Sequence, residues 1–190
     1  MTRAMQSESQ PKKALLIVDI QNDYFPGGRM ELEGSDAASL RAAELLAAFR
    51  ERRLPVIHIQ HVSLRAGATF FLPDTEGVKI HTNVAPLDHE TLIHKHFPNS
   101  FRDTALLDHL RQTGIEELVI AGMMTHMCVD ATTRAAADLG FRCSLAHDAC
   151  ATRALTFGAT KVPAEHVQCS FLAALSGAYA AVKPASELIG

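Results

Sequence analysis

Short, nearly continuous apolar runs alternate along this chain with segments in which apolar residues recur every three or four positions. The runs are typical of parallel strands buried on both faces, and they lie at 13–20, 55–62, 90–96, 117–122 and 142–150, with a shorter one at 179–182. The periodic segments predict helices at about 35–53, 103–114, 127–139 and 163–176. This alternation predicts a three-layer α/β/α fold of Rossmann-like type, in which helices cover both faces of a parallel sheet of about six strands.

A single domain accounts for the whole pattern. Residues 13–190 carry the alternation without repeats, while the polar residues 1–12 contain no apolar segment of a secretory signal and predict a flexible tail. Residues 63–90 show no periodicity. A connection of this length inside a compact domain is typical of a functional lid.

Composition excludes several classes of function. The net charge of the 190 residues is −3 and no run of Lys or Arg accumulates, so nucleic acid and anionic membranes are not expected partners. No apolar stretch approaches the roughly 18 residues of a membrane span. The glycines after the first strand lack the spacing of a phosphate-binding loop, which argues against a nucleotide-binding module. The four cysteines have no paired spacing, and we expect a reducing, cytoplasmic location.

Three polar residues fall at or just after the carboxyl ends of predicted strands, where open α/β sheets bind their ligands. They are Asp19, Lys95 and Cys128. A thiol in the first turn of a helix lies near unpaired N–H groups that favour thiolate, and a nearby ammonium acts in the same direction. Asp19 can accept the thiol proton, and the first-turn amides can stabilise an oxyanion. Together these groups predict acyl-transfer chemistry.

Each of these residues also has a purely structural interpretation. Asp19 can cap a helix or form a buried ion pair with Lys95, and Lys95 alone can be a surface residue. Cys128 can be a small core residue, since free cysteines are among the most buried residue types. We interpret the other three cysteines in that way: Cys143, Cys150 and Cys169.

Several residues near the same edge are candidates for substrate contact. The aromatic ones can form the walls of a largely apolar pocket or can simply pack in the core, and two polar ones can supply hydrogen bonds. These candidates are Phe25, Phe70, Phe71, Phe97, Thr125 and His126.

Three segments in order, "LLIVDIQNDYF", "IHKHFPNSF" and "VIAGMMTHMCVDATTRAAADLG", resemble the isochorismatase-like cysteine hydrolases. That superfamily includes nicotinamidases, N-carbamoylsarcosine amidase, ureidoacrylate amidohydrolases and isochorismatase. The resemblance implies that Cys128 is a nucleophile forming a thioester, that Asp19 accepts its proton, and that Lys95 orients the pair and stabilises negative charge. It also implies an oxyanion hole formed by the backbone N–H groups of Met124 and Cys128, after a cis peptide bond between Met123 and Met124.

The chain departs from the nicotinamidase pattern, in which an Asp-x-His motif and a further histidine bind a divalent metal. His58 and His61 are present, but no carboxylate has the required spacing. His94 and His96 flank Lys95 and should face away from it in a strand. We therefore expect neither a metal nor another cofactor.

The resemblance favours hydrolysis of a small amide or ureide, because true isochorismatases of the known branch lack the cysteine. The alternatives are a vinyl-ether hydrolase of the isochorismatase type and a non-catalytic redox-sensing thiol protein. The expected partner is a small-molecule substrate. The resemblance also implies a homo-oligomer, a dimer or a tetramer, in which the loop at 63–90 completes its own or a neighbour's site.

Overall fold

Six parallel strands form the central sheet of the computed structural model, which describes residues 12–189. The strands of the chain are β1 (Lys13–Val18), β2 (Val56–His61), β3 (Thr91–Lys95), β4 (Glu117–Met123), β5 (Arg142–Ala151), β6 (Leu155–Phe157), β7 (Thr160–Val162) and β8 (Ala181–Lys183). The order in the sheet is β3-β2-β1-β4-β5-β8, while β6 and β7 form a separate antiparallel hairpin. The predicted fold class is confirmed.

Helices cover both faces of the sheet. They are α1 (Ser35–Glu51), α2 (Leu106–Gln112), α3 (Asp130–Asp138), α4 (Ala164–Leu175) and α5 (Ala185–Leu188). Side chains alternate along β1, so that Leu15 and Ile17 pack with α1 and α5, while Leu16 and Val18 pack with α2, α3 and α4. Within residues 12–189, no helix has the length and apolar character needed to cross a membrane.

The structure differs from the predicted elements at four places. Helix α2 begins at Leu106 rather than at 103, because the preceding residues form turns that include Asp103 with a φ of 55°. The hairpin β6–β7 lay in a segment predicted as a connection. Helix α5 was not predicted either. The predicted helix at 127–139 is preceded by a π-helical turn, Thr125–Val129, which contains Cys128.

The long connection between β2 and β3 is irregular, as predicted, apart from a 3-10 turn at Thr82–Val84. The Gln21 amide ties it to the sheet edge: its Nε2 donates to the Val78 carbonyl at 2.7 Å and to the His61 carbonyl at 2.9 Å. The Asp23 carboxylate accepts the Phe71 N–H at 2.6 Å. These buried bonds fix the connection across the carboxyl edge of β1.

Most of the predicted tail lies outside the described residues, which begin at its last residue. That residue, Lys12, donates from Nζ to the Thr113 carbonyl at 2.7 Å.

Candidate active site

Asp19, Lys95 and Cys128 come together in one buried cluster at the carboxyl edge of the sheet. The Lys95 Nζ lies 2.7 Å from Asp19 Oδ2, and both side chains are fully buried. A carboxylate oxygen of Asp19, a ring nitrogen of His61 and the Cys128 Sγ all lie within 4.8 Å of one another. The thiol is therefore within reach of a proton acceptor and a cation.

The backbone at the end of β1 positions the carboxylate. Asp19 has a φ of 52°, a left-handed conformation that costs a non-glycine residue roughly 1–3 kcal/mol and is typical of functional sites. Its N–H donates to the Ile59 carbonyl at 3.0 Å, which anchors it to β2. Apart from the ion pair, its buried carboxylate oxygens accept no hydrogen bond from the described residues. They are thus available to the thiol proton.

Lys95 reaches the cluster from β3, two strands away from β1. Its Nζ donates to the carbonyls of Phe97 at 3.0 Å and Pro98 at 3.2 Å, and it lies 3.2 Å from His61 Nδ1. Burial alone would lower the pKa of the Lys95 ammonium, but the ion pair with Asp19, reinforced by the neighbouring Cys128, outweighs burial and raises it. Lys95 is therefore a permanent cation in the site.

His61 lies between Lys95 and the aromatic side chains and is uncharged near neutral pH. Burial lowers its pKa to about 4, with Asp19 opposing and Lys95 reinforcing the change. Because Lys95 can only donate, the neutral His61 accepts at Nδ1 and carries its proton on Nε2.

The expectation that the site stabilises a resting thiolate is wrong. The pKa of the Cys128 thiol is raised, mainly by burial and then by the negative charge of Asp19, and the opposing effect of Lys95 is smaller. The single ammonium of Lys95 already neutralises the Asp19 carboxylate, so no further cation of the described cluster is available to neutralise a thiolate. Cys128 also lies within a π-helical turn. The N–H groups of its two neighbours, Met127 and Val129, are not unpaired, because both donate to the Met124 carbonyl. The resting cysteine is a neutral thiol.

The backbone before Cys128 has the geometry that the resemblance implied, since the Met123–Met124 peptide bond is cis. Gly122 precedes it with a φ of 148°. A Cβ at Gly122 would overlap the Val18 carbonyl oxygen, so only glycine lets β4 approach β1 this closely beside Asp19. The pairing of β4 with β5 is also irregular between Ile120 and Gly122.

The structure brings some of the predicted pocket residues to the cluster. Phe71 packs edge-on against Tyr24 with ring centroids 4.6 Å apart, and it contacts Phe70 and His61 at 4.9 and 5.9 Å. Phe71 is nevertheless only 1% exposed, so it packs beneath the surface of the site and does not form that surface. Phe70 is partly buried beside it.

The other two predicted aromatic residues make different contacts. Phe25 is buried and stacks on the His81 ring at 3.7 Å. The Phe97 ring lies 3.7 Å from the Arg102 guanidinium carbon, while its carbonyl accepts a hydrogen bond from Lys95. Phe97 thus contributes its backbone to the site.

Thr125 and His126 join the cysteine-bearing turn to the end of β5. The buried Thr125 hydroxyl donates to the Ala151 carbonyl at 3.1 Å. His126 Nδ1 lies 2.5 Å from the Thr152 hydroxyl, and the ring is partly exposed. Thr125 therefore has a structural partner, and the His126 ring remains partly exposed beside the turn that carries Cys128.

Sequence reasoning missed three residues near the cluster: Tyr24, His61 as a contact of Lys95, and Arg153. Burial raises the pKa of the Tyr24 phenol well above its ordinary value, Cys128 and Asp19 raise it further, and Arg153 opposes them. The hydroxyl is therefore within electrostatic range of both the cluster and Arg153. All three residues follow or end strands at the carboxyl edge, which is the signal that could have identified them.

The histidines considered as metal ligands have other contacts. His58 is fully buried, and its Nε2 lies 3.0 Å from the Glu90 carboxylate, which also binds Arg50 at 2.7 Å. His94 and His96 are exposed on the face opposite Lys95, as predicted, and His96 Nδ1 lies 2.8 Å from the Val62 carbonyl.

The remaining cysteines divide into two groups. Cys143 and Cys150 are buried, and burial raises the pKa of each thiol to about 12, which confirms their assignment to the core. The assignment of Cys169 to the core is wrong, because this residue lies on an exposed face of α4.

Comparisons with known proteins identify the family. Residues 13–162 match the model of the isochorismatase domain. The chain is 52% identical over 170 residues to YddQ of Bacillus subtilis, an isochorismatase family protein, with 90% of this chain and 94% of the relative covered. It is 30% identical to the nicotinamidase of Escherichia coli, over 74% of this chain and 83% of that protein. The structure of an isochorismatase hydrolase from Oleispira antarctica superposes with a TM-score of 0.91 at 50% identity, covering 95% of this chain and 97% of that chain. The chain therefore belongs to the isochorismatase family of hydrolases.

Proposed function

We propose that this protein is a cysteine-dependent amidohydrolase that cleaves the C–N bond of a small amide or ureide through a thioester. The observation that carries the proposal is the buried cluster in which the Cys128 thiol, the Asp19 carboxylate and the Lys95 ammonium share one site. The 30% identity to a nicotinamidase, a protein named for amide hydrolysis, supports the same reaction class.

In the proposed mechanism, Asp19 takes the proton of the neutral thiol as the Cys128 sulfur attacks the carbonyl carbon. Proton transfer during attack avoids a second full negative charge in a site with one cation. The carbonyl oxygen becomes an oxyanion, and the N–H groups of Met124 and Cys128 donate to it. Asp19 becomes neutral when it takes the proton, so the positive charge of Lys95 is then balanced by the oxyanion, which it stabilises.

Collapse of the tetrahedral intermediate breaks the C–N bond. The leaving nitrogen takes the proton from Asp19 and departs as ammonia or an amine, which leaves an acyl group on the Cys128 sulfur. A water molecule then attacks the thioester, and Asp19 takes one of its protons. The second tetrahedral intermediate expels the thiolate, which regains that proton from Asp19 as the acid is released.

The redox-sensor alternative is less well supported. Sensor cysteines are exposed and have a lowered pKa, because the thiolate is the form that oxidants attack. Cys128 is 5% exposed and its pKa is raised. A sensor also has no use for a buried general base, whereas an amidohydrolase requires one.

The test is a screen of small amides and ureides for ammonia release by the wild type, by Cys128→Ala and by a matched control, Cys150→Ala. Cys150 is a buried cysteine outside the cluster. We expect hydrolysis by the wild type and the control, and none by Cys128→Ala. Equal turnover by Cys128→Ala and the wild type would refute the proposal.

We also propose a cytoplasmic location. The observation that supports it is that Cys128, Cys143, Cys150 and Cys169 are all free thiols, as a reducing compartment keeps them.

A further inference from the structure

Arg153 carries a guanidinium that lacks a partner at the edge of the candidate site. Its Nε is buried and has no hydrogen-bond partner among the described residues, and its Nη1 makes only a 3.5 Å contact with the neighbouring Ala154 carbonyl. None of the ion pairs formed by the described residues involves Arg153. The other arginines without an ion pair in this part of the chain are exposed to water: Arg29, Arg52, Arg53, Arg65 and Arg111.

The backbone around Arg153 is held in place from three sides. The Ala151 carbonyl accepts the Thr125 hydroxyl at 3.1 Å, and the Thr152 carbonyl accepts the Glu33 N–H at 3.0 Å. The Thr152 hydroxyl lies 2.5 Å from His126 Nδ1. Two of these three bonds join the end of β5 to the turn that carries Cys128. Arg153 is thus fixed beside that turn by its own chain.

The charge of Arg153 reaches the site. After burial, Arg153 is the second cause that lowers the pKa of His126, and it also lowers the pKa of the Tyr24 phenol. Within the cluster, Asp19 and Lys95 compensate each other. Arg153 is therefore the positive charge of this region that the protein leaves uncompensated.

We infer that Arg153 binds a carboxylate of the substrate, so that the substrate is an amide or ureide that also carries a carboxylate. The inference rests on the proposed function, since it assigns the acidic end of the same substrate. A guanidinium presents planar N–H donors that match the two oxygens of a carboxylate, and a partly buried one that lacks a partner gains most from such a ligand. Ionised hydrogen bonds of this kind also discriminate strongly against a neutral analogue.

The experiment measures how two small amides protect Cys128 from alkylation by iodoacetamide, a neutral reagent, with the adduct located by peptide mass spectrometry. The two probes are succinamate and succinamide, which differ in one group, a carboxylate against a carboxamide. Arg153→Met removes the guanidinium, and Arg153→Lys keeps a charge without the planar donors. Arg142→Met is the matched control, because Arg142 begins β5 at the opposite edge of the sheet.

We expect succinamate to protect wild-type Cys128 at concentrations roughly 10- to 100-fold lower than succinamide, which is the discrimination typical of ionised hydrogen bonds. Arg153→Met should abolish that preference, Arg153→Lys should retain part of it, and Arg142→Met should leave it unchanged. Equal protection by the two probes, including none by either, or a preference that survives in Arg153→Met, would overturn the inference. Iodoacetamide is used at the concentration and time that modify wild-type Cys128 fully without a probe. Hydrolysis of either probe by Cys128→Ala at the wild-type rate would instead contradict the proposed nucleophile.

Discussion

At the scale of single residues, the site contains two acids and one permanent cation. Lys95 compensates Asp19, and burial leaves the Cys128 proton in place. In the proposed mechanism, Cys128 therefore remains a thiol until Asp19 takes its proton. The proposed role of each residue follows from the charge balance among these buried groups.

Asp19→Asn keeps the shape of the side chain and removes the base. Turnover should fall by about 10²- to 10⁴-fold, the range typical of a lost general base, while the protein stays folded. Asp103→Asn is a matched control, because Asp103 has a similar left-handed φ of 55° but an exposed side chain. Initial rates on the preferred amide measure the effect. An Asp19→Asn variant as active as the Asp103→Asn control would contradict the role of base.

Catalysis should not depend on a metal ion. Asp19, His61 and Cys128 are near enough to share a cation, but the Lys95 ammonium already lies 2.7 Å from Asp19 and 3.2 Å from His61. A fixed positive charge in that position repels a divalent ion. Dialysis against a chelator should leave the turnover number unchanged. A loss of turnover that zinc, iron or manganese restores would contradict this prediction.

His61 should make stability depend on pH. Its pKa is about 4 in the folded protein and near 6.5 when unfolded, so between these values the unfolded chain binds more protons. This contribution is fully present above about pH 6.5 and is lost as the pH falls towards 4. Urea denaturation at a series of pH values measures it. His61→Gln should flatten the dependence in part, since the lowered pKa of His58 acts in the same direction. If stability depended on pH equally steeply in His61→Gln and in the wild type, the lowered pKa assigned to His61 would be contradicted.

The sequence was sufficient to find the cluster but not its protonation. Asp19, Lys95 and Cys128 follow from the rule that ligands bind at the carboxyl edge. The pKa of Cys128 depends on burial and on how many charges share a small volume, and neither quantity is local in sequence. Arg153 had the same edge position, but its lack of a partner becomes visible only when every nearby carboxylate has been placed.

At the scale of elements, the close contact between β1 and β4 positions the site. Gly122 allows it, because any side chain there would overlap the Val18 carbonyl oxygen next to Asp19. The connection between β2 and β3 lies across the same edge, where Gln21 and Asp23 hold it.

Gly122→Ala should therefore destabilise the fold by more than about 3 kcal/mol, since overlap with backbone is added to a conformational cost of roughly 1–3 kcal/mol. Gly140→Ala is the control: it has a φ of 95° but open space around its Cβ position, and it should cost about 1–2 kcal/mol. Denaturant unfolding of both variants gives the comparison. Equal losses would show that close packing at Gly122 is unimportant.

The five longer strands and α1 could be predicted because their apolar runs and stripes are long enough to show a period. The hairpin β6–β7 could not, since three-residue strands give too few positions to define one. The last three residues of the π-helical turn at Thr125–Val129 were predicted as ordinary helix, because the extra residue per turn changes hydrogen bonding rather than composition.

At the scale of the whole molecule, the proposal of a homo-oligomer comes from the resemblance. Leu64 and Phe157 are 64% and 90% exposed, and association is one way to remove such side chains from water. Light scattering at micromolar concentration should give two or four times the mass of one chain. A monomer would contradict the proposal.

The most direct test of the central claim is intact-protein and peptide mass spectrometry after acid quenching of the wild type during turnover of a hydrolysed amide. The account predicts a mass increase equal to the acyl group, located on Cys128 and absent from Cys128→Ala. Turnover with no acyl adduct at Cys128 under conditions that preserve thioesters, or with the adduct on another residue, would contradict it.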